Sequence, residues 1–155
     1  TPQKTKDVQE WLTLSIDPVT ENSATVNIRW DKIRVPFTVT VDVVATSLAK
    51  ARTAVAAAPA DNWQTPYNAG TYAVQNNSKD EGIRWLEIAL PRVEAAIKKG
   101  ETYGNLAGRA NILLSLGRKD EGLRAAEKAI AKGKADKANT TTLEARAAEF
   151  RAEKN

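Results

Sequence analysis

The sequence predicts an α+β fold, with a short three-stranded antiparallel sheet followed by about six helices in antiparallel hairpins. Three observations lead to this prediction. Apolar and polar residues alternate from 11 to 44, as in strands whose two faces differ in burial. From residue 45 onward the apolar spacing changes to three and four, which is typical of helices. The segment Lys79–Arg84 returns forty positions later, with one conservative change, as Lys119–Arg124, which indicates a helical repeat.

The β segment, residues 1–44, is predicted to contain three strands. The apolar residues that would share a face in each strand are Leu12, Leu14 and Ile16; Ala24, Val26, Ile28 and Trp30; and Ile33, Val35, Phe37, Val39, Val41 and Val43. Turn residues at Asp17-Pro18 and Asp31-Lys32 would connect the strands as a meander. Because three strands cannot bury their own apolar face, we expect it to pack on the helices or on a larger β domain outside this sequence. Residues 1–9 carry no periodic signal and are predicted to be a linker or a frayed end.

The α-helical region, residues 45–155, is predicted to contain six helices, at about 47–58, 62–76, 78–100, 102–116, 119–132 and from 141 onward. Ser78 and Glu81 have the spacing of a capping box, so we expect reciprocal hydrogen bonds at the start of the third helix. The apolar spacing of that helix continues through Pro91, which predicts one long helix kinked at this residue. Gly117 is predicted to end the fourth helix.

The composition excludes most catalytic chemistry. The chain has no Cys and no His, so it lacks disulfides, thiolate metal ligands and the commonest general base. The paired carboxylates Asp80-Glu81 and Asp120-Glu121 fall in the first turns of predicted helices, where the helix dipole stabilises negative charge without a ligand. We therefore predict no catalytic residue, no metal and no cofactor, and we predict that the protein is not an enzyme.

The charge pattern is that of a solvated surface. The net charge is +4, and the 23 Lys and Arg are interspersed with 19 Asp and Glu. No aromatic residue accompanies the basic stretch 128–137, so we do not predict nucleic-acid binding. Weak attachment of that stretch to an anionic surface stays open as an alternative. No apolar run approaches the roughly 20 residues that cross a bilayer, so no transmembrane segment is predicted.

The segment Leu113–Ile130 resembles a tetratricopeptide repeat. Gly117 falls at the turn glycine of that motif, Gly122 at the small position of the second helix, and Ala129 at the alanine seven residues later. The same positions in the earlier copy are Asn77, Gly82 and Ala89. The resemblance implies stacked helical hairpins that bind a protein or peptide segment. The period here is forty residues, against thirty-four in the family, and we attribute the difference to a longer third helix.

The chain is also similar to the C-terminal part of an uncharacterised bacterial envelope family. The residues that carry this likeness are Ala24–Lys32, Asn62–Tyr67, Tyr72-Ala73 and Ile83–Trp85. The likeness implies a periplasmic or secreted protein in which a larger N-terminal β domain precedes this segment. Because the sequence contains no Met, we expect the natural chain to begin further upstream, with a signal peptide.

Two groups of side chains are candidate partner-binding residues. The first group is aromatic and consists of Trp63, Tyr67, Tyr72 and Trp85. The second is polar and lies on the helices that would form the inner face of a repeat: Asn68, Gln75, Asn105, Arg109 and Asn111. Both groups also have a structural interpretation. The aromatic residues would fill the seam between the sheet and the first helices, and the polar residues would form solvated helix faces.

Two hypotheses for the function follow from these patterns. The first is a non-catalytic scaffold or interaction module, whose partner is a protein or peptide segment or an N-terminal domain of the same polypeptide. The alternative is structural support of an envelope enzyme or carbohydrate-binding protein whose active domain lies outside this sequence.

Overall fold

Two strands precede six helices in the computed structural model, which describes residues 1–152. The strands are β1 (Gln3–Val19) and β2 (Ser23–Thr40). The helices are α1 (Val43–Ala57), α2 (Gln64–Gln75), α3 (Lys79–Lys99), α4 (Tyr103–Ser115), α5 (Lys119–Ala135) and α6 (Thr141–Ala152). Internal contacts divide the chain into two units, which we call the β-unit, formed by Thr1–Ser47, and the helical unit, which begins at Leu48. The prediction of an α+β chain with six helices is confirmed.

The prediction of three strands is wrong, because β1 and β2 form a two-stranded antiparallel sheet. Leu14 pairs with Ile28, and the pairing continues with irregularities as far as Gln3 opposite Arg34. Most of the predicted linker at residues 1–9 is therefore part of β1. Its polar residues have no periodic signal, but strand formation depends on a cross-strand partner more than on intrinsic preference.

The second and third predicted strands form the single strand β2, although the chain reverses direction within it. The hydroxyls of Thr25 and Thr38 lie 3.4 Å apart. Thirteen fully extended residues would separate them by roughly 43 Å, so β2 folds back on itself. The backbone of Asp31, with φ of 50°, lies in the left-handed region between the two threonines. Pairing with β1 continues on both sides of Asp31, so the strand does not end there.

The third predicted strand was also extended too far along the chain. β2 ends at Thr40, and Val43 already opens α1. The Asp42 carboxylate accepts a hydrogen bond from the Ala45 backbone N–H at 2.8 Å. This contact satisfies one of the free N–H groups in the first turn of the helix, and it overrides the alternating apolar pattern of Val41 and Val43.

The β-unit leaves many large apolar side chains exposed. They are Val8, Trp11, Leu12, Leu14, Ile16, Val19, Trp30, Ile33, Phe37, Val39 and Val41, and Trp11 is 79% exposed. A two-stranded sheet has no second layer of its own with which to cover such residues.

The hairpins α2–α3 and α4–α5 have the same turn geometry. Asn77 and Gly117, forty positions apart, have φ of 62° and 76°. The same hydrogen bond closes both turns: Ser78 N to Ala73 O at 2.9 Å, and Arg118 N to Leu113 O at 3.0 Å. This is the Schellman arrangement, which needs a left-handed residue and therefore favours Gly or Asn. Gly117 was predicted to end the fourth helix, and it occupies this position just past the end of α4.

The paired helices approach closely at a repeated glycine. A Cβ at Gly82 would lie 2.7 Å from Val74 Cγ2 of α2, and a Cβ at Gly122 would lie 2.6 Å from Leu114 Cδ2 of α4. Each glycine and its contact are related by the same forty-residue spacing. The buried side chains around these contacts include Leu86, Ala89, Val93 and Ile112 in one cluster and Leu106, Ala110, Leu113, Ala126, Ala129, Leu143 and Ala147 in another.

The third helix is continuous through Pro91, as its apolar spacing predicts, and α3 has 21 residues against 17 in α5. The predicted capping box at its start is wrong, because the Ser78 side chain makes no capping hydrogen bond. Glu81 instead accepts two hydrogen bonds from the Arg52 guanidinium of α1, both at 2.8 Å. The Glu81 carboxylate is therefore bound by a residue of another helix and not by the Ser78 backbone N–H, which would be its partner in a capping box.

We expect Gly82→Ala to destabilise the helical unit and Gly104→Ala to leave it as stable or slightly more stable. A Cβ at Gly82 would also lie 2.7 Å from the Gly70 carbonyl oxygen, so the backbone must shift, at a cost of about 1–3 kcal/mol. A Cβ at Gly104 meets nothing within 4 Å and would contribute about 0.4–1 kcal/mol by restricting the unfolded chain. Urea unfolding followed by circular dichroism measures both changes. Equal effects of the two substitutions would contradict the close approach of α2 and α3.

The ion pair of Arg52 and Glu81 should make stability depend on pH. Hydrogen bonds from Arg52 hold the pKa of Glu81 below its ordinary value of 4.5. A lowered pKa in the folded state stabilises the protein above the unfolded-state pKa, and this stabilisation disappears as pH falls through the lowered value. Glu81→Gln should therefore reduce Tm at about pH 7 and have a much smaller effect at about pH 3. Asp80→Asn, at an exposed position in the same turn, is the matched control, and a pH-independent effect of Glu81→Gln would refute the assignment.

Candidate protein-binding groove

Three alternate helices form one layer of the helical unit. α2 contacts α4 and α4 contacts α6, while α3 and α5 pair with α2 and α4 respectively. An open cleft of about 300 Å³ lies across the three-helix layer. Its lining comes from all three helices: Thr71, Val74 and Gln75 from α2, Leu114 and Ser115 from α4, and Arg146 and Phe150 from α6. Asn111 is not among these lining residues, but it precedes Leu114 and Ser115 on α4 by three and four positions, so it lies one turn along the same helix face. We call the cleft together with Asn111 the inner groove.

Arg146 is the cationic residue of the inner groove. Its Nη2 donates a hydrogen bond to Ser115 Oγ at 2.8 Å, and its guanidinium carbon lies 5.9 Å from the centroid of the Phe150 ring. Both contacts fix the guanidinium without neutralising its charge. No carboxylate lies within ion-pair distance of Arg146 among residues 1–152. The remaining N–H groups can therefore donate to a carboxylate or carbonyl of a bound molecule.

Two polar atoms in the inner groove are buried without a hydrogen-bond partner. They are Thr71 Oγ1 and Asn111 Oδ1, which lie on neighbouring helices exactly one repeat apart in sequence. A buried polar atom without a partner costs about 1–3 kcal/mol, so most proteins avoid it. The same repeat relation joins Val74 with Leu114 and Gln75 with Ser115. The duplication thus places equivalent side chains at equivalent points of the groove.

Three of the residues predicted from the sequence meet in the seam between α2 and α4. Trp63 is only 8% exposed, and its Nε1 donates to Asn105 Oδ1 at 3.2 Å. The rings of Trp63 and Tyr67 are tilted, with centroids 5.9 Å apart. A Cβ on Gly108 would lie 2.3 Å from Trp63 Cη2, so the indole occupies the space that this glycine leaves. Trp63 and Asn105 therefore join the two helices.

The other predicted residues lie elsewhere. Trp85 is 7% exposed on α3, and Tyr72 is partly buried on α2. Arg109 donates from Nε to Glu94 Oε1 of α3 at 3.1 Å, in a separate cleft of about 290 Å³ between α3, α4 and α5. Within the wider polar group, Gln75 and Asn111 belong to the inner groove, Asn68 is exposed on α2, and Asn105 binds Trp63.

Sequence reasoning missed Arg146, Phe150 and Thr71. A weak signal was available, because Arg146 and Phe150 are four residues apart and therefore share a face of α6. No binding role was predicted for that helix. Nothing local to its sequence indicates that this face meets α4.

The glutamates of the two repeated carboxylate pairs, Glu81 and Glu121, have structural partners. Glu121 accepts two hydrogen bonds from Arg118, at 2.9 and 2.6 Å, and these bonds hold its pKa below the ordinary value. Lys134 and Thr140 likewise lower the pKa of Glu144. Over residues 1–152 there is no group of three or more Asp or Glu placed to hold a metal ion.

The comparisons with known proteins give no relative: no protein-family model, curated protein or solved structure matches the chain. In the part of the chain that the structure describes, no helix is both long enough and apolar enough to span a bilayer.

Trp63→Ala should reduce the free energy of unfolding of the helical unit by about 3–5 kcal/mol, because the substitution empties a buried site between two helices. Trp11→Ala, at the highly exposed tryptophan of the β-unit, should change it by no more than about 0.5 kcal/mol. Unfolding in guanidinium chloride, followed by the helical signal in far-ultraviolet circular dichroism, measures both changes in the free energy of unfolding. A small effect of Trp63→Ala would mean that the indole is not part of the core.

Proposed function

We propose that the chain is a non-catalytic binding module that holds an extended protein segment in the inner groove. The observation that supports this most directly is the unsatisfied buried atom Thr71 Oγ1, in the same cleft as the unneutralised guanidinium of Arg146. A second unsatisfied atom, Asn111 Oδ1, lies one helical turn from the lining residues of α4. All three gain hydrogen bonds when a polypeptide lies across the helices. The resemblance of Leu113–Ile130 to a tetratricopeptide repeat supports the same function.

The mixed character of the groove suits a peptide. Val74 and Phe150 supply apolar surface for side chains, while Gln75 and Ser115 supply hydrogen-bonding groups. A peptide backbone offers an N–H donor and a C=O acceptor at each residue, which matches a groove that contains both kinds of partner. Arg146 adds a preference for a segment with an acidic side chain, because guanidinium and carboxylate form two parallel hydrogen bonds.

The proposal of binding without catalysis rests on residue types. The inner groove contains Thr71 and Ser115 as hydroxyl groups, but the chain has no His to act as their general base. The Ser115 hydroxyl already accepts a hydrogen bond from Arg146, which offers no basic lone pair. These residues are suited to recognition.

We also propose a periplasmic or secreted location, which rests on the resemblance to the bacterial envelope family. In such a setting the bound segment belongs either to a separate protein or to another domain of the same polypeptide. The basis for this part of the proposal is the set of sequence segments that carry the likeness, among them Asn62–Tyr67 and Ile83–Trp85.

Peptides selected from a random display library against the chain should lose affinity on Arg146→Gln. We expect a loss of about tenfold or more for acidic peptides, because the substitution removes a charge-assisted bidentate contact. Arg151→Gln is the matched control, since it removes the same charge from the same helix but breaks only the exterior pair with Glu127. Fluorescence anisotropy with a labelled peptide measures both affinities.

The outcome that counts against the groove is a set of selected peptides whose binding is unchanged by both Arg146→Gln and Phe150→Ala. Failure of repeated selections to yield any specific peptide would also count against the proposal. Circular dichroism of each variant separates lost binding from lost folding.

A second candidate function is structural support of a separate active domain. The observation that favours it is the exposed apolar surface of the β-unit, where Trp11, Leu12 and Leu14 are each more than half exposed. Exposed apolar patches on this scale commonly mark interaction surfaces. Activity or glycan binding by a longer natural polypeptide, lost when only residues 1–155 are present, would favour this candidate.

A further inference from the structure

The β-unit contains a cleft of about 370 Å³, which we call the polar cleft because all of its lining residues are polar. The lining residues are Thr5, Asp7, Ser15, Asp17, Asn27, Arg29 and Arg34. The folding back of β2 near Asp31 brings Asn27 and Arg34 to the same side, and the antiparallel pairing places Ser15 opposite Asn27. Residues far apart in sequence thus share one concave surface.

Asn27 is a buried residue in the lining of this polar cleft. Its side chain is buried, with only 4% of the residue exposed. Its Nδ2 donates to the Asp17 backbone carbonyl at 2.8 Å, and its Oδ1 accepts from Arg34 Nε at 2.7 Å. Both ends of the amide are engaged, so Asn27 fixes the Arg34 side chain in position and leaves its terminal N–H groups available.

The charged side chains of the polar cleft are not neutralised by ion pairs with other described residues, although Arg34 Nε donates to Asn27. Arg29 Nε is buried and makes no hydrogen bond. No ion pair joins Asp7, Asp17, Arg29 or Arg34 to another residue within 1–152. A buried guanidinium N–H without an acceptor is costly, and a ligand oxygen at that point would remove the cost.

The signs of the charges are divided between the strands. β1 contributes both carboxylates, Asp7 and Asp17, and β2 contributes both guanidiniums, Arg29 and Arg34. The four groups sum to a formal charge of zero. A simple anion would neutralise the arginines but leave the carboxylates beside it, and a simple cation would do the reverse. A molecule that carries both charges satisfies all four groups.

We propose that the polar cleft binds a small zwitterion that carries an ammonium and a carboxylate, such as a free α-amino acid. The carboxylate accepts hydrogen bonds from Arg29 and Arg34, and the ammonium donates to Asp7 and Asp17. The cleft volume of about 370 Å³ lies within the usual range for small-ligand pockets and is sufficient for an amino acid. No aromatic or aliphatic residue is among those that line the cleft, so it offers little apolar surface for the C–H face of a sugar.

Isothermal titration of the full chain with L-alanine, acetate, ethylammonium and glycerol tests this proposal. We expect saturable binding of L-alanine and at least about tenfold weaker binding of the three other compounds, each of which lacks one or both charges. Arg29→Gln should weaken L-alanine binding by about tenfold or more, because it removes the unsatisfied donor. Lys32→Gln removes an exposed positive charge from the same strand and should leave binding unchanged.

Asp7→Asn provides an independent check, because Asp7 is exposed and the substitution keeps its shape. It should weaken L-alanine binding while leaving acetate binding the same or stronger, an effect that unfolding would not produce. Absence of L-alanine binding by the folded wild-type chain would overturn the proposal. Equal affinity for L-alanine and acetate, or tighter binding of glycerol, would overturn it as well. This site is separate from the inner groove, so either result leaves the peptide experiments unaffected.

Discussion

The close contact between paired helices at Gly82 and Gly122 is the constraint on which the helical unit depends. At both positions the space that a Cβ would need is filled by a side chain of the preceding helix, Val74 or Leu114. The left-handed turns at Asn77 and Gly117 return the chain at the angle that this contact requires. Because the same contact occurs twice, the first helix of each hairpin presents the same face, and α2 and α4 build a common surface. Without two equivalent hairpins, Thr71 and Asn111 would not occupy equivalent places.

Polar side chains in this molecule fall into two groups according to whether a partner is already present. Asn105 accepts a hydrogen bond from the indole of Trp63, and Arg109 donates one to Glu94. The hydrogen bonds of these two residues therefore stabilise the fold. Thr71, Asn111 and Arg29 keep buried atoms without a partner. Since such atoms are costly, their occurrence within clefts is a better indicator of binding than exposure or residue type alone. Both proposed sites rest on this distinction.

The sequence was informative where structure depends on local signals. The helices follow from apolar spacing, and the turn at Gly117 follows from the need for a left-handed residue. The strand count failed because β2 continues through its own reversal at Asp31, since pairing with β1 is present on both sides of that residue. The capping box at Ser78 failed because Arg52, 29 positions before Glu81 in the chain, takes the carboxylate. Arg146 was missed for a related reason, since only the packing of α6 against α4 brings it beside Ser115.

The repeat also bears on how a bound segment would lie in the inner groove. Packed helices are about 8–10 Å apart, and an extended chain advances about 3.3 Å per residue. A segment that crosses α2 and α4 at right angles therefore moves about three residues between Thr71 and Asn111. Successive side chains of an extended segment point to opposite sides, so two residues three positions apart cannot both direct their side chains into the groove. Backbone groups alternate in the same way, but each residue presents both an N–H and a C=O on one side, so a residue and the next but one offer four such groups over a comparable distance. The two equivalent polar atoms are thus better suited to bind the backbone of the segment, which leaves Arg146 to select its side chain.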